Sequence, residues 1–503
     1  MDDIKRHGVV AEEDPGRDHT ALPVHEAAEG DANEKAPRQR SRRVASLDVF
    51  RGLTVALMVL ADGAGDKWPV FGHAMWEGCN LADFVMPFFL FIVGMAIPLS
   101  LKRIPDRGRA VRRVVIRTKM MYNWDQLLVL CFPTLSCSHW HHISGGYLHA
   151  PDELTYGVDL KHIRWCGILQ RIALAYLIAS VIEIATKDER VQDQSSSGLS
   201  IFRLYFSQWI VACCILVIYL SLVYGIYVPD WEFRVKCDTR GNLGPACNSV
   251  GYIDREVLGL NHMYQKPHKV HGFFTTKPCH VLNINVIFKH LLTKRAQVTD
   301  ASPNEGPLKQ DTPAWCASPF DPEGLLSSFS AVLSTIIGVH YGHVLVHMKS
   351  HMDRLKQWLT MGIALLVLGL ILHFSHAIPI IKELYTFSYI CVTAGAAGIV
   401  LSMLYFLVDV QNLSYIFAPL RWIGMNSMLV YVMAAMGIFE GFINGWYYDG
   451  SNNTLVYWIR KHVFVGVWHS ERAGILLYVL VAQIMLWALI AGLLHRAGIY
   501  WKL

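Results

Sequence analysis

The side chains in this sequence that can do chemistry are few, and they are set among long apolar runs. His73 stands in Phe71-Gly72-His73-Ala74-Met75-Trp76-Glu77-Gly78, a short link between two such runs, with Trp68 and Trp76 on either side. An imidazole titrates near neutrality, so it can serve as a general base or as a nucleophile that carries an acyl group. Asp83 follows, just ahead of the almost unbroken apolar run Phe84–Ile97. The run before His73 opens Ser46-Leu47-Asp48-Val49-Phe50-Arg51-Gly52 and carries Asp62 near its far end. Asp48 and Arg51 share one helical face and can pair. Arg171 comes early in Gly167-Ile168-Leu169-Gln170-Arg171-Ile172-Ala173, and Asn426 interrupts a late run within Gly424-Met425-Asn426-Ser427-Met428. Ionisable groups inside a membrane are costly and usually face a bundle interior or a water-filled cavity. The plainer role for each is an inter-helix hydrogen bond or a helix-end side chain reaching for water. With 23 histidines in the chain, composition alone does not single out His73.

The other histidine cluster, His139, His141 and His142, has no cysteine or carboxylate at metal-ligand spacing, so it reads as a solvated loop and no metal is expected. The chain has no G-x-x-x-x-G-K-[ST], no G-x-S-x-G, no H-E-x-x-H and no dinucleotide-binding glycine fingerprint. Any substrate must then be held by the elements that position these polar groups.

Those elements are apolar helices. Of the 503 residues 53% are apolar and only 17% charged, against about 25% charged in ordinary soluble domains. So little charge cannot cover a soluble surface, and disorder, coiled coil and collagen are excluded for most of the length. The net charge of +5 is small and scattered, which gives no reason to expect nucleic acid as a partner. A span needs roughly 20 mostly apolar residues. Nine stretches qualify, at 46–65, 80–101, 167–186, 207–228, 324–346, 357–376, 385–408, 421–443 and 474–495. A tenth, 114–136, is poor, because Arg117, Lys119, Asn123 and Asp125 leave only Leu127–Leu135 properly apolar. The expected fold is an all-α polytopic membrane bundle of about ten (nine to eleven) helices, in contact with the lipid bilayer.

Charge gives this bundle an orientation. Residues 1–43 read as a disordered tail, acidic up to Glu34 and then basic at Lys35, Arg38, Arg40, Arg42 and Arg43, with no apolar segment of a secretory signal ahead of it. Lys102, Arg103, Arg107, Arg109, Arg112 and Arg113 crowd the link after the second span, so that link and the tail belong on the cytosolic side. Ten spans then put both termini in the cytosol, and the loops 137–166, 229–323 and 444–473 on the other side. Four of the eleven cysteines (Cys237, Cys247, Cys279, Cys316) fall in the long loop 229–323 and suit an oxidising lumen. The N-x-T sequon at Asn452 lies in the third loop.

In order along 44–503, several long motifs resemble the heparan-α-glucosaminide N-acetyltransferase family, in wording closest to its plant-type branch. They are Ser46–Gly52, His73-Ala74-x-Trp76-x-Gly78, Asn80–Pro87, Gly167–Tyr176, Val250–Tyr264, Pro322-Glu323-Gly324, Ile423–Tyr431 and the final Tyr500-Trp501-Lys502-Leu503. The resemblance implies an enzyme that moves acetyl from cytosolic acetyl-CoA across a membrane to a terminal glucosamine amine. It also implies that His73, ahead of the second core span, is the active-site histidine, acting as base in a direct transfer or through an acetyl-imidazole. Asp48, Arg51, Asp62, Asp83, Arg171 and Asn426 become candidates for orienting His73 or lining the cavity, and Arg103, Arg112 and Arg113 for meeting CoA phosphates. Heparan sulfate is an animal polymer, so a plant-type member takes another sugar or amine. Two segments depart from the family pattern: 119–144, where a clean span belongs, and 267–298, which reads as an insertion; both resemble intron-derived sequence. Alternatives are a transporter with Asp48, Arg51, Asp83 and Arg171 along its path, which the missing internal repeat argues against, and a catalytically inactive homologue. Lysosome, vacuole, plasma membrane and endomembrane all remain compatible, as does a homodimer.

Overall fold

The computed structural model describes residues 44–131, 164–186, 198–230, 237–263, 320–435, 447–448 and 453–501, apart from the single positions 66, 75, 103, 105, 238 and 246. The tail 1–43, the insertion 267–298, the cluster His139–His142, Cys279, Cys316 and Asn452 lie outside the described residues. In chain order the principal helices are Ala45–Ala64 (α1), Leu81–Leu101 (α2), Arg107–Cys131 (α3), Ile168–Thr186 (α4), Phe206–Gly225 (α5), Ser249–Leu258 (α6), Leu325–His347 (α7), His351–Phe374 (α8), Phe387–Val410 (α9), Ala418–Met425 (α10) and Glu471–Arg496 (α11). No strand occurs among the described residues. Seven of these helices, α2, α4, α5, α7, α8, α9 and α11, are long and apolar enough to cross a membrane. α1 carries Asp48, Arg51 and Asp62, and α3 carries a row of arginines.

Over the described residues each expected span is helical, including the weak tenth, where α3 is helical through Cys131. The span expected at 421–443, described up to 435, is interrupted. Asn426 leaves helical geometry with φ −117° and ψ 33°, so α10 ends at Met425 and a new turn begins at Ser427.

Successive spans alternate in direction, which gives the bundle two ends. At one end Asp409 accepts hydrogen bonds from Ala45 N (3.3 Å) and Ser46 N (3.1 Å). These are two of the backbone donors that the first turn of α1 cannot satisfy itself. Tyr205 bonds His347 there (2.9 Å), and Gln208 donates to Glu183 (2.7 Å). At the other end Lys67 pairs with Glu471 (2.7 Å), Tyr219 donates to the Leu384 carbonyl (2.7 Å), and Leu325 N donates to Asp254 (2.8 Å). The described parts of the three long loops all gather at this second end, where Cys237 and Cys247 form a disulfide.

α7 is the hub, with 89% of its spanning window buried, against 17% for α8 and 28% for α5 and α11, which form the outer wall. Lipid tails are as apolar as leucine, so helices in a bilayer associate through close packing. Small residues allow it here. A Cβ on Gly338 of α7 would run into the Phe91 carbonyl of α2, and one on Gly424 of α10 into the Asp48 carbonyl of α1.

Candidate active site

The link from α1 to α2 is short and folded on itself. Trp68 N and Gly72 N close turns onto Ala64 O (3.0 Å) and Pro69 O (3.2 Å), and the Trp68 indole donates to the Arg472 carbonyl (3.0 Å). His73 follows. Asp83 sits in the 3-10 turn Leu81–Phe84 that opens α2, and its Oδ2 reaches back to Asn80 N at 2.9 Å, as the third residue of a helix does in a capping box. The same oxygen accepts from Ala74 N (2.9 Å). Oδ1 lies 2.8 Å from His73 Nδ1 and 3.2 Å from Lys382 Nζ. The Asp83 side chain is wholly buried, and four donors meet the roughly four lone-pair directions of a carboxylate.

Lys382 comes from the loop between α8 and α9. That loop is fastened to the His73 segment by Gly78 N on Ile380 O (2.9 Å) and by a bridge between Glu77 and Ile381. Within it Thr386 Oγ1 donates to Pro379 O (2.9 Å), and Tyr385 N to Lys382 O (2.9 Å). Tyr385 takes a left-handed backbone, with φ 55°. Such a conformation is uncommon outside glycine and persists where surroundings impose it. Ser330 Oγ bonds its carbonyl (3.0 Å), Ser334 Oγ bonds its hydroxyl (3.1 Å), and the Arg171 guanidinium lies over its ring at 5.4 Å. Tyr389 OH donates to the Asp83 carbonyl, which joins α9 to the start of α2.

Lys382 Nζ is 2.8 Å from His73 Nδ1, the atom that also faces Asp83. Nδ1 cannot donate to one and accept from the other at once. With the proton on Nδ1, the imidazole donates to Asp83 Oδ1 and Lys382 donates to that same oxygen, which satisfies both Nδ1 and the carboxylate. No hydrogen bond to Nε2 is formed among the described residues, and the His73 side chain is 58% exposed. The Lys382 charge holds the His73 imidazole below its ordinary range, while Asp83 and Glu323 pull the other way. The neighbouring Cys79 thiol is pushed up by burial and by the Asp83 charge, so it offers no thiolate as a rival nucleophile.

Around this centre the loops are braced by charge. Arg164 forms two bonds with Asp321 (3.1 and 2.5 Å) and one with Glu323 (2.6 Å). Burial opposes the charge on Glu323, but Arg164 holds its carboxyl below the usual range. Burial pushes Glu383, beside Lys382 in sequence, up to about 7. Trp76 donates to Leu243 O (2.9 Å) and packs edge-on against Phe320, which ties the His73 segment to the loop closed by the Cys237–Cys247 disulfide.

The residues expected to line the site divide into two groups. His73 and Asp83 are in contact. Arg171 is close by, donating to Ser328 Oγ (3.1 Å), Ser327 Oγ (2.5 Å) and Pro322 O (2.5 Å), and it reaches the Lys382 loop through Tyr385. Asp62 is exposed in the last turn of α1, at the same end, within electrostatic range of Lys382. Asp48, Arg51 and Asn426 are at the opposite end, since 14 residues of helix from Asp62 to Asp48 span about 21 Å. There Arg51 bonds Asp48 (3.3 Å) and the Gly424 carbonyl (3.4 Å), and Asn426 accepts from Trp501 N (3.0 Å). Lys102, Arg107, Arg109, Arg112 and Arg113 are exposed at this end too, where they can meet phosphates. Arg103 lies outside the described residues. Among those residues no group of three metal-ligating side chains occurs.

Sequence reasoning missed Lys382. The signal was a charged doublet, Lys382-Glu383, in a short link between spans, on the same side as His73 by span count.

No protein-family model matches the chain. It is 26% identical to heparan-alpha-glucosaminide N-acetyltransferase of Homo sapiens over 482 residues, 92% of this chain and 60% of that protein. The relative of the same name from Mus musculus is 26% identical over 493 residues, 94% of this chain and 62% of its own length. The chain thus spans about three fifths of the length of the curated relatives it matches. The helices and these relatives together mark an integral multi-pass membrane protein. The similarity to these heparan-alpha-glucosaminide N-acetyltransferases runs through more than nine tenths of the chain.

Proposed function

We propose that the chain is a membrane-embedded acetyltransferase that moves acetyl from acetyl-CoA to the amine of an amino-sugar-like acceptor, with His73 at the reacting centre. The observation that carries this reading is the division of labour on one ring: Nδ1 is engaged by Asp83 and Lys382 while Nε2 is open. A thioester is an activated acyl donor, and an amine attacks only without its extra proton. His73 Nε2 takes that proton as the amine nitrogen bonds the acetyl carbon and the carbon–sulfur bond breaks. Asp83 holds the ring in the required tautomer and faces the positive charge that develops on it. The proton then goes to the departing sulfur, which restores the neutral imidazole.

Sidedness follows from charge and redox chemistry. The exposed cations of the α2–α3 link favour a cytosolic position for the Asp48 end, and the disulfide favours an oxidising one for the His73 end. Both termini then lie in the cytosol, the donor comes from that side and the acceptor from the other. A transport path along Asp48, Arg51, Asp83 and Arg171 has less support, because each of these groups is bonded to neighbours and they fall into two groups about a helix length apart.

The test is acetyl transfer by the purified protein from radiolabelled acetyl-CoA to a panel of glucosamine-containing and other amine acceptors. His73→Ala is expected to abolish transfer while remaining monodisperse in detergent. A folded His73→Ala protein that transfers acetyl as fast as the parent defeats the assignment.

A further inference from the structure

Two charged groups of opposite sign compete for one atom of His73, and the competition has a chemical use. Asp83 Oδ1 at 2.8 Å from Nδ1 draws the proton to that nitrogen and leaves Nε2 as the lone-pair atom. Left alone, the same carboxylate would also stabilise the doubly protonated ring, and a protonated histidine is no base. Lys382 Nζ, likewise 2.8 Å from Nδ1, opposes only the second effect, since it repels an imidazolium while bonding the carboxylate that fixes the tautomer.

We propose that Lys382 is a positioning residue that keeps His73 a neutral imidazole with its proton on Nδ1, so that the base stays available under acidic conditions. The charged groups facing His73 are Lys382, Asp83 and Glu323; Asp62 and Glu383 face Lys382 in turn. Of these groups, Lys382 and Asp83 are the two in contact with the ring. Its side chain is 24% exposed and is aimed by the Tyr385 turn, so the cation is held in place by its loop. The direction of the His73 shift agrees with this arrangement. The proposal deepens the acetyltransferase reading, and the part of its test that uses activity rests on that reading.

The experiment measures the pH midpoint of His73 modification by diethyl pyrocarbonate, which reacts with the neutral imidazole, on the purified full chain with peptide mass spectrometry as readout. Wild type is compared with Lys382→Met, with Lys382→Gln, which keeps a donor for Asp83 without the charge, and with Lys382→Arg, which keeps the charge. Removing the charge is expected to raise the midpoint by about one pH unit or more, the effect of a like charge at contact distance, whereas Lys382→Arg stays near wild type. The acid limb of kcat/KM is expected to move with the midpoint, a loss of about tenfold per unit at acidic pH. An unmoved or lowered midpoint in both uncharged variants overturns the proposal, and so does an equal rise in Lys382→Arg. If the midpoint rises as stated but the wild-type protein transfers no acetyl to any acceptor, the Lys382 reading stands and the acetyltransferase reading falls.

Discussion

Replacing Asp83 with asparagine changes one atom and should disable the base. Oδ2 accepts two backbone N–H groups, from Ala74 and Asn80, so the amide oxygen must take that position. The amide NH2 then faces His73 Nδ1 and Lys382 Nζ, where the carboxylate had presented an acceptor. Nδ1 has to accept, its proton moves to Nε2, and the atom aimed at substrate becomes a donor. When the same exchange is made at the aspartate of a serine-protease triad, the wrong tautomer costs about 10⁴ in kcat, or roughly 5 kcal/mol of transition-state stabilisation. A comparable loss is expected here. The stability cost is smaller. Lys382 loses a charge-assisted hydrogen bond worth about 1.5–3 kcal/mol, but its ammonium can partly regain water, so about 1–2 kcal/mol is expected. The assay pairs acetyl transfer from radiolabelled acetyl-CoA with a thermal melt in detergent. An Asp83→Asn protein that melts within a few degrees of wild type and retains more than a tenth of its rate would refute the tautomer argument.

Glu383 gives a pH signature. Its folded value is raised from the ordinary 4.5 to about 7, so the folded state holds the proton more tightly, and stability falls as pH rises from about 4.5 to 7. The penalty at pH 8 is about 3 kcal/mol at most. Glu383→Gln should therefore resist heat better than wild type at pH 8 and match it near pH 4; equal melting at both pH values would show that burial of this carboxyl carries no such cost. Asp409→Ala strips the partner from two N–H groups at the start of α1. It should lower stability by about 1 kcal/mol, read as a lower melting temperature in detergent, with less effect at high salt if the helix dipole contributes.

The spans were legible because a bilayer forces long apolar runs, and α2, α7 and α9 follow those runs closely. His73 and Asp83 were legible as a pair of polar groups at the mouth of one span. Depth along a helix was not used, and it separates the rest. Asp48 opens α1 and Asp62 closes it, so they cannot serve one centre, and Asn426 follows Gly424, which packs against the first of them. Lys382 escaped notice because local pattern carries no record of a contact 309 residues away. The bonds of Asp409 to α1, 364 and 363 residues distant, were hidden for the same reason.

That separation has a consequence for how the protein is made. His73 and Asp83 leave the ribosome early, Leu243, which steadies Trp76, comes 167 residues after it, and Lys382 comes 309 after His73. At roughly 5–20 residues per second, the base waits on the order of 15–60 s for the lysine that completes its setting. A chain interrupted before Lys382 would carry a histidine in the membrane with its carboxylate but without its cation. The working centre thus doubles as a record that synthesis has passed the loop between α8 and α9, because no earlier fragment can assemble it.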